Sequence, residues 1–151
     1  RTWEMLRDRA PGFEKSYIML TGPQLGTTGG RRLIGEYSLR EADLRRTEPF
    51  EDTIAIFPNN DRGAESHEFN RIYVPYRALV PQDVDGLLVA CRAFSSDDVA
   101  NTYFNLIPHC ICFGQAAGAA AAIAVEKGIN VREVPYAELK AKLLEGGAIL
   151  P

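Results

Sequence analysis

The stretch from residue 87 to residue 128, LLVACRAFSSDDVANTYFNLIPHCICFGQAAGAAAAIAVEKG, constrains the fold more than any other part of the chain. It opens with Leu87, Leu88, Val89 and Ala90, an apolar run without polar alternation, the pattern of a strand buried on both faces of a parallel sheet. Pro108 suits the first position of a helix and Gly128 its C-terminal cap, so residues 109–127 are expected to be helical. Within that helix Gly114, Ala117, Gly118, Ala121 and Ala122 recur at three- and four-residue spacing. One face is therefore almost bare of side chains, and another backbone can approach it closely. An alanine-rich core helix is the plainer reading of the same residues. His109, Gln115 and Glu126 interrupt the apolar character, which argues against a membrane span.

The ordered combination of LLVACR, Ser95 and Ala100, IPHCICFGQAAGAAAAIA and a final amphipathic helix resembles the C-terminal part of FAD-dependent oxidoreductases. The relatives in question have a nucleotide-binding domain of the glutathione-reductase type and are distantly related to fumarate reductase flavoproteins. Upstream, GTTGGRRLIGEYSLREADL resembles their glycine- and arginine-containing segment, and IYVPYRALVPQDVDGLLVA their return from the substrate domain. The resemblance covers nearly the whole chain.

It implies an α/β fold: the C-terminal part of a Rossmann-like FAD-binding domain at residues 81–151, and part of a β-rich substrate or cap domain with an interdomain sheet at residues 1–80. It also implies FAD as cofactor, hydride transfer between a small organic substrate and the flavin, and cofactor contacts from Cys91, Arg92, Asn105, Pro108, His109 and Cys110. The start of the long helix offers N–H groups and the positive end of its dipole to the pyrimidine edge of the ring, where negative charge gathers on reduction. Cys91 stands where the family usually has glycine, and Asn105 where it often has arginine. The chain has no GxGxxG after a strand, so an N-terminal flavin-binding chain or segment must carry the dinucleotide fingerprint. Two alternatives stay open: a noncatalytic structural subunit that stabilises a partner flavoprotein chain, and a flavin-containing isomerase or hydratase.

Four residues are candidates for substrate chemistry. Arg32 follows Arg31 and the loop TGPQLGTTGG, where a bidentate guanidinium can clamp a carboxylate or phosphate, although a solvated surface pair is as common. His67 sits beside Glu68 in a polar loop and has the chemistry of a general acid or base, against the plainer reading of an inert exposed histidine. Tyr76 and Arg77 match the family's tyrosine and arginine after a strand end at Pro75, which places them towards a domain cleft.

The remaining elements read as follows. Thr2 caps a first helix with Trp3 and Leu6 on one face; residues 17–20 form a short strand; Ser38 and Glu41 form a capping box. Residues 53–57 and 71–74 are strands, Ser95 to Asp98 begin a helix with a hydroxyl cap and acids in the first turn, and the tail is a helix with Leu139, Leu143 and Leu144 on one side.

At 151 residues and 46% hydrophobic content the chain is the size of one domain with enough apolar residues for a core. A net charge of -3 without a basic cluster argues against nucleic-acid binding. Three cysteines do not make a disulfide framework and nothing resembles a signal peptide, so a cytoplasmic location is expected. Cys110 and Cys112 point about 200° apart on a helix, so no metal site or mutual disulfide is expected of them. The chain starts at Arg1 rather than methionine, consistent with a fragment, a cleaved chain or a separately encoded subunit.

Overall fold

The computed structural model of the chain describes residues 1–24, 26, 29–58, 71–104 and 106–151. In order, the elements are α1 (Thr2–Arg9), a 3-10 turn (Glu41–Arg45), β1 (Thr53–Phe57), β2 (Ile72–Pro75), a 3-10 turn (Tyr76–Ala78), α2 (Asp98–Tyr103), α3 (Ile107–Lys127), a 3-10 turn (Val131–Glu133) and α4 (Tyr136–Glu145). Helices with a two-stranded antiparallel sheet of β1 and β2 make the described residues a mixed α/β fold.

β-branched and aromatic residues build the sheet as expected. Phe57 pairs with Ile72, Ile56 with Tyr73 and Ala55 with Val74, with a register irregularity between Ala55 and Thr53. Pro75 closes β2, having no N–H to continue the ladder.

α3 packs its buried face, Phe113, Ala116, Ala120, Ile123 and Ala124, towards β1 and α4. Small side chains at 116, 120 and 124 let the helix approach closely, and Phe113 fills the remaining space with Phe94, Phe104 and Phe57. The Phe94 and Phe113 ring centroids lie 5.0 Å apart, and those of Phe57 and Phe104 5.5 Å in an edge-on arrangement. Gly128 ends the helix in the left-handed conformation, at φ 64°. α3 has the length and apolar content of a bilayer-crossing segment, although this buried face belongs to the core.

α4 lies against α3 through Leu139 and Leu143, and Tyr136 donates its hydroxyl to the Thr53 carbonyl at 2.6 Å. Leu144 departs from the expected apolar side and is exposed. Four residues from Leu139 to Leu143 pass a full turn by only about 40°, whereas the fifth swings about 100° further round.

Three extended segments around residues 33–39, 78–82 and 93–97 are laced together without forming a regular sheet. Leu33 N–H donates to Ala93 O, Glu36 N–H to Val80 O, Ser95 N–H to Ala78 O and Leu39 N–H to Ser95 O, at 2.7 to 3.0 Å. Gly35 is required at their crossing: a Cβ there would lie 2.7 Å from the Ser95 Cβ and 3.0 Å from the Val80 carbonyl oxygen.

Several local expectations are corrected. Residues 87–90 are not a strand: the run has one backbone bond, Val89 N–H to Leu79 O, and Leu87 is exposed. A doubly buried strand needs a hydrogen-bonded ladder at each edge, and no ladder joins the run to a neighbour among the described residues. Residues 17–20 likewise form no strand, and Met19 and Leu20 are over 80% exposed. The first helix is capped at Arg1 without a side-chain bond, and Thr2 lies inside it; none of its residues is buried. The Ser38–Glu41 box does not form, because the turn begins two residues later. Asp43 instead reaches back to the Arg40 N–H at 2.8 Å and also accepts from the Tyr37 hydroxyl. The helix start expected at Ser95 to Asp98 forms, but its cap is the Asp97 carboxylate, which accepts from the Ala100 N–H, rather than a serine hydroxyl.

Candidate functional site

An open concavity lies where the loop at residues 91–93 meets the first turns of α3. Cys91, Arg92, Ala93, Ile107, Cys110 and Ile111 line an open groove of about 700 Å³. Both walls are fixed from behind. Phe94 is fully buried directly after the loop, the Ala93 carbonyl accepts from Leu33 N–H, and the Arg92 carbonyl accepts from the Asn101 side chain at 2.8 Å. Phe113 anchors the opposite wall. On α3, Ile107, Cys110 and Ile111 stand at i, i+3 and i+4 and so share a face.

The groove is amphipathic. Ile107 and Ile111 are exposed apolar side chains, whereas Arg92 contributes a cation with no ion pair among the described residues. α3 starts at Leu106, which supplies no side-chain cap, so no N-cap oxygen offsets the positive end of the helix dipole. The Cys91 sulfur accepts the Ala93 N–H at 3.4 Å.

Three of the six expected cofactor residues, Cys91, Arg92 and Cys110, therefore meet in one groove. Pro108 lies in the first turn of α3, exposed, between the groove residues Ile107 and Cys110. His109 faces elsewhere: its ring lies 4.4 Å from the Phe57 centroid and 5.1 Å from that of Phe104, both edge-on. Burial lowers its pKa below the ordinary imidazole value, and its Nδ1 is buried without a hydrogen-bond partner among the described residues. Asn105 lies outside the described residues.

Of the substrate candidates, His67 also lies outside the described residues. Arg32 lines a smaller concavity of about 370 Å³ with Gly30, Gly35, Ser38, Ser95 and Ser96 among its walls. Its guanidinium is paired with Asp98 at 2.5 Å. Tyr76 is buried and donates its hydroxyl to the Val131 carbonyl at 2.8 Å; burial raises its pKa far above the ordinary phenol value. Arg77 forms a two-pronged pair with Asp52, at 3.0 and 3.1 Å, and Asp52 also accepts the Arg77 N–H. The hydrogen bond to Asp52 raises the guanidinium pKa further. Neither Tyr76 nor Arg77 lines either concavity.

Sequence reasoning missed Asp98 as the partner of Arg32 and Asp52 as the anchor of Arg77, because both pairs join residues far apart in the chain. It missed Arg132 for the same reason: its guanidinium bonds Glu36 at 2.8 Å and the Pro81 and Val84 carbonyls at 3.2 Å. Ile107 and Ile111 carried a readable signal, since they extend the small-residue face by i, i+4 spacing.

The family model described as FAD dependent oxidoreductase matches residues 1–143 of the chain. No curated protein and no solved structure matches it. With the match running through every element described up to the middle of α4, the chain belongs to the FAD dependent oxidoreductase family, whose cofactor is FAD.

Proposed function

We propose that the chain is the C-terminal portion of an FAD-dependent oxidoreductase and that the groove between residues 91–93 and the start of α3 receives the flavin. The carrying observation is convergence: Cys91, Arg92 and Cys110, up to 19 positions apart in sequence, line one groove. The residues fit the group. Ile107 and Ile111 offer apolar walls to a flat ring system, Arg92 offers an anionic group a cation that has no ion pair among the described residues, and the uncapped start of α3 offers a positive field. When bound, the flavin supplies two-electron hydride chemistry with a small organic substrate. The chain's residues orient it, keep water from one face through Ile107 and Ile111, and stabilise negative charge at the helix end.

In this reading the adenosine and pyrophosphate half is held by an N-terminal segment or chain bearing the dinucleotide fingerprint. The unpaired surfaces favour such a partner. Ile107, Ile111, Gly114, Gly118, Ala121 and Val125 form an exposed stripe along α3, spaced at three and four residues. The run at residues 87–90 would gain the strand neighbours it lacks, completing a Rossmann-like sheet at residues 81–151; residues 1–80 would belong to a β-rich substrate domain. The assembly would be cytoplasmic, with no membrane or nucleic acid involved.

A second reading, a noncatalytic structural subunit, is favoured by one observation. Arg32, Tyr76 and Arg77 are all engaged in internal bonds. Measuring FAD content and turnover separates the two. The protein purified with its partner segment should be yellow, and Ala93→Glu, which adds a carboxylate to the groove wall, should release the flavin without unfolding the chain. Equal flavin retention in the variant would overturn the groove assignment. A yellow complex that no organic substrate bleaches would favour the structural subunit.

A further inference from the structure

The groove holds two of the chain's three cysteines, and the third is set apart. Cys91 is exposed on the loop wall, Cys110 is half-buried on the α3 wall, and both line the same cavity. Cys112 lines neither described concavity, packs against the core, and has its thiol pKa pushed up by burial. Helix geometry separates Cys112 from Cys110 by about 200° around α3, so the two cannot address the same thiol. The 19-residue gap between Cys91 and Cys110 hides their common location in the sequence.

The surroundings suit thiol exchange. The Cys91 sulfur accepts the Ala93 N–H, which holds it on the loop wall, and Arg92 lines the same groove. Cys110 lies one turn from the uncapped, positive end of α3. Access is open to a small molecule, because the groove faces solvent and Cys91 sits at its edge.

We propose that Cys91 and Cys110 form a redox-sensitive thiol pair that closes to a disulfide across the groove when exposed to a small-molecule disulfide. The Cys91 thiolate attacks one sulfur of the disulfide, forming a mixed disulfide and expelling one thiolate. The Cys110 thiolate then attacks the Cys91 sulfur, and the second small thiol leaves. In total two protein thiols are oxidised, one small disulfide is reduced to two thiols, and the two protein protons pass to the departing thiolates. The bridge ties the loop to α3 over the space assigned above to the flavin. Its regulatory meaning rests on that assignment, whereas its formation does not.

The test uses mass spectrometry of the whole chain after treatment with oxidised glutathione, with Cys112→Ser as the parent so that only two thiols remain. The expected product has lost two hydrogens, carries no glutathione, and on trypsin digestion links the peptide ending at Arg92 to the peptide containing Cys110. Cys91→Ser and Cys110→Ser should each lose the bridge and retain one glutathione instead. A parent that accumulates two glutathione adducts without a link, or remains unmodified, overturns the proposal. Circular dichroism of each variant checks that the fold persists. If the bridge forms but flavin content is unaffected by it, the thiol pair stands and the flavin assignment fails.

Discussion

The side of the molecule built from β1, β2, α4 and the inner face of α3 differs sharply from the side built from residues 87–93 and the outer face of the same helix. On the inner face Phe113, Ala116 and Ala120 are fully buried, whereas on the outer face Ile107 and Val125 are more than 75% exposed. One helix thus carries a finished interface and an unfinished one. Inner hydroxyls are bonded, as in Tyr136 to Thr53 and Tyr76 to Val131, while Arg92 and the uncapped start of α3 look onto an open groove. The contrast ties the inner side to stability, and the proposed function assigns binding to the outer side; substitutions should separate the two.

The largest effect is expected inside. Phe113→Ala removes the ring shared by Phe57, Phe94 and Phe104 and should cost about 3–5 kcal/mol in urea denaturation. Ile111→Ala on the outer face should cost under about 0.5 kcal/mol. Similar losses for both would break the comparison.

Next comes Gly35→Ala, where the new methyl meets the Ser95 Cβ and the Val80 carbonyl; a loss of about 1–3 kcal/mol of stability, read as a lowered unfolding midpoint, is expected. An unchanged midpoint would mean that the three laced segments can move apart. Asp52→Ala should cost about 1 kcal/mol, since Asp52 is largely buried but Arg77 is nearly half exposed and water replaces part of the bond.

The smallest effect is a pH dependence. Burial lowers the His109 pKa below its unfolded value, so the unfolded state takes up the proton first. His109 contributes stability that is present above the unfolded imidazole pKa, about 6.5, and is lost as pH falls through the lower folded value. Comparing His109→Gln with the parent by thermal melts should therefore show a shallower acid slope below about pH 6.5 in the variant. Parallel slopes would remove His109 from the account.

Where local signals governed, the sequence was readable. The β-branched and aromatic runs became β1 and β2, Gly128 capped α3, and α2 began within the expected Ser95 to Asp98 stretch. The strand expected at residues 87–90 failed because its apolar character reports what the run buries against, and no paired neighbour is present among the described residues. At the site, Cys91, Arg92 and Cys110 of the family motif line one groove. The motif placed His109 with them, although a residue in the same first turn points to a different side of the helix. The internal partners of Arg32 and Arg77 were invisible because long-range ion pairs leave no periodic trace.

The outer side carries the central claim, and native mass spectrometry of the protein purified from its source, with a visible absorption spectrum of the same sample, tests it most directly. The account predicts one FAD and a dinucleotide-fingerprint segment associated with this chain, with a flavin spectrum. A colourless species containing this chain alone would contradict it.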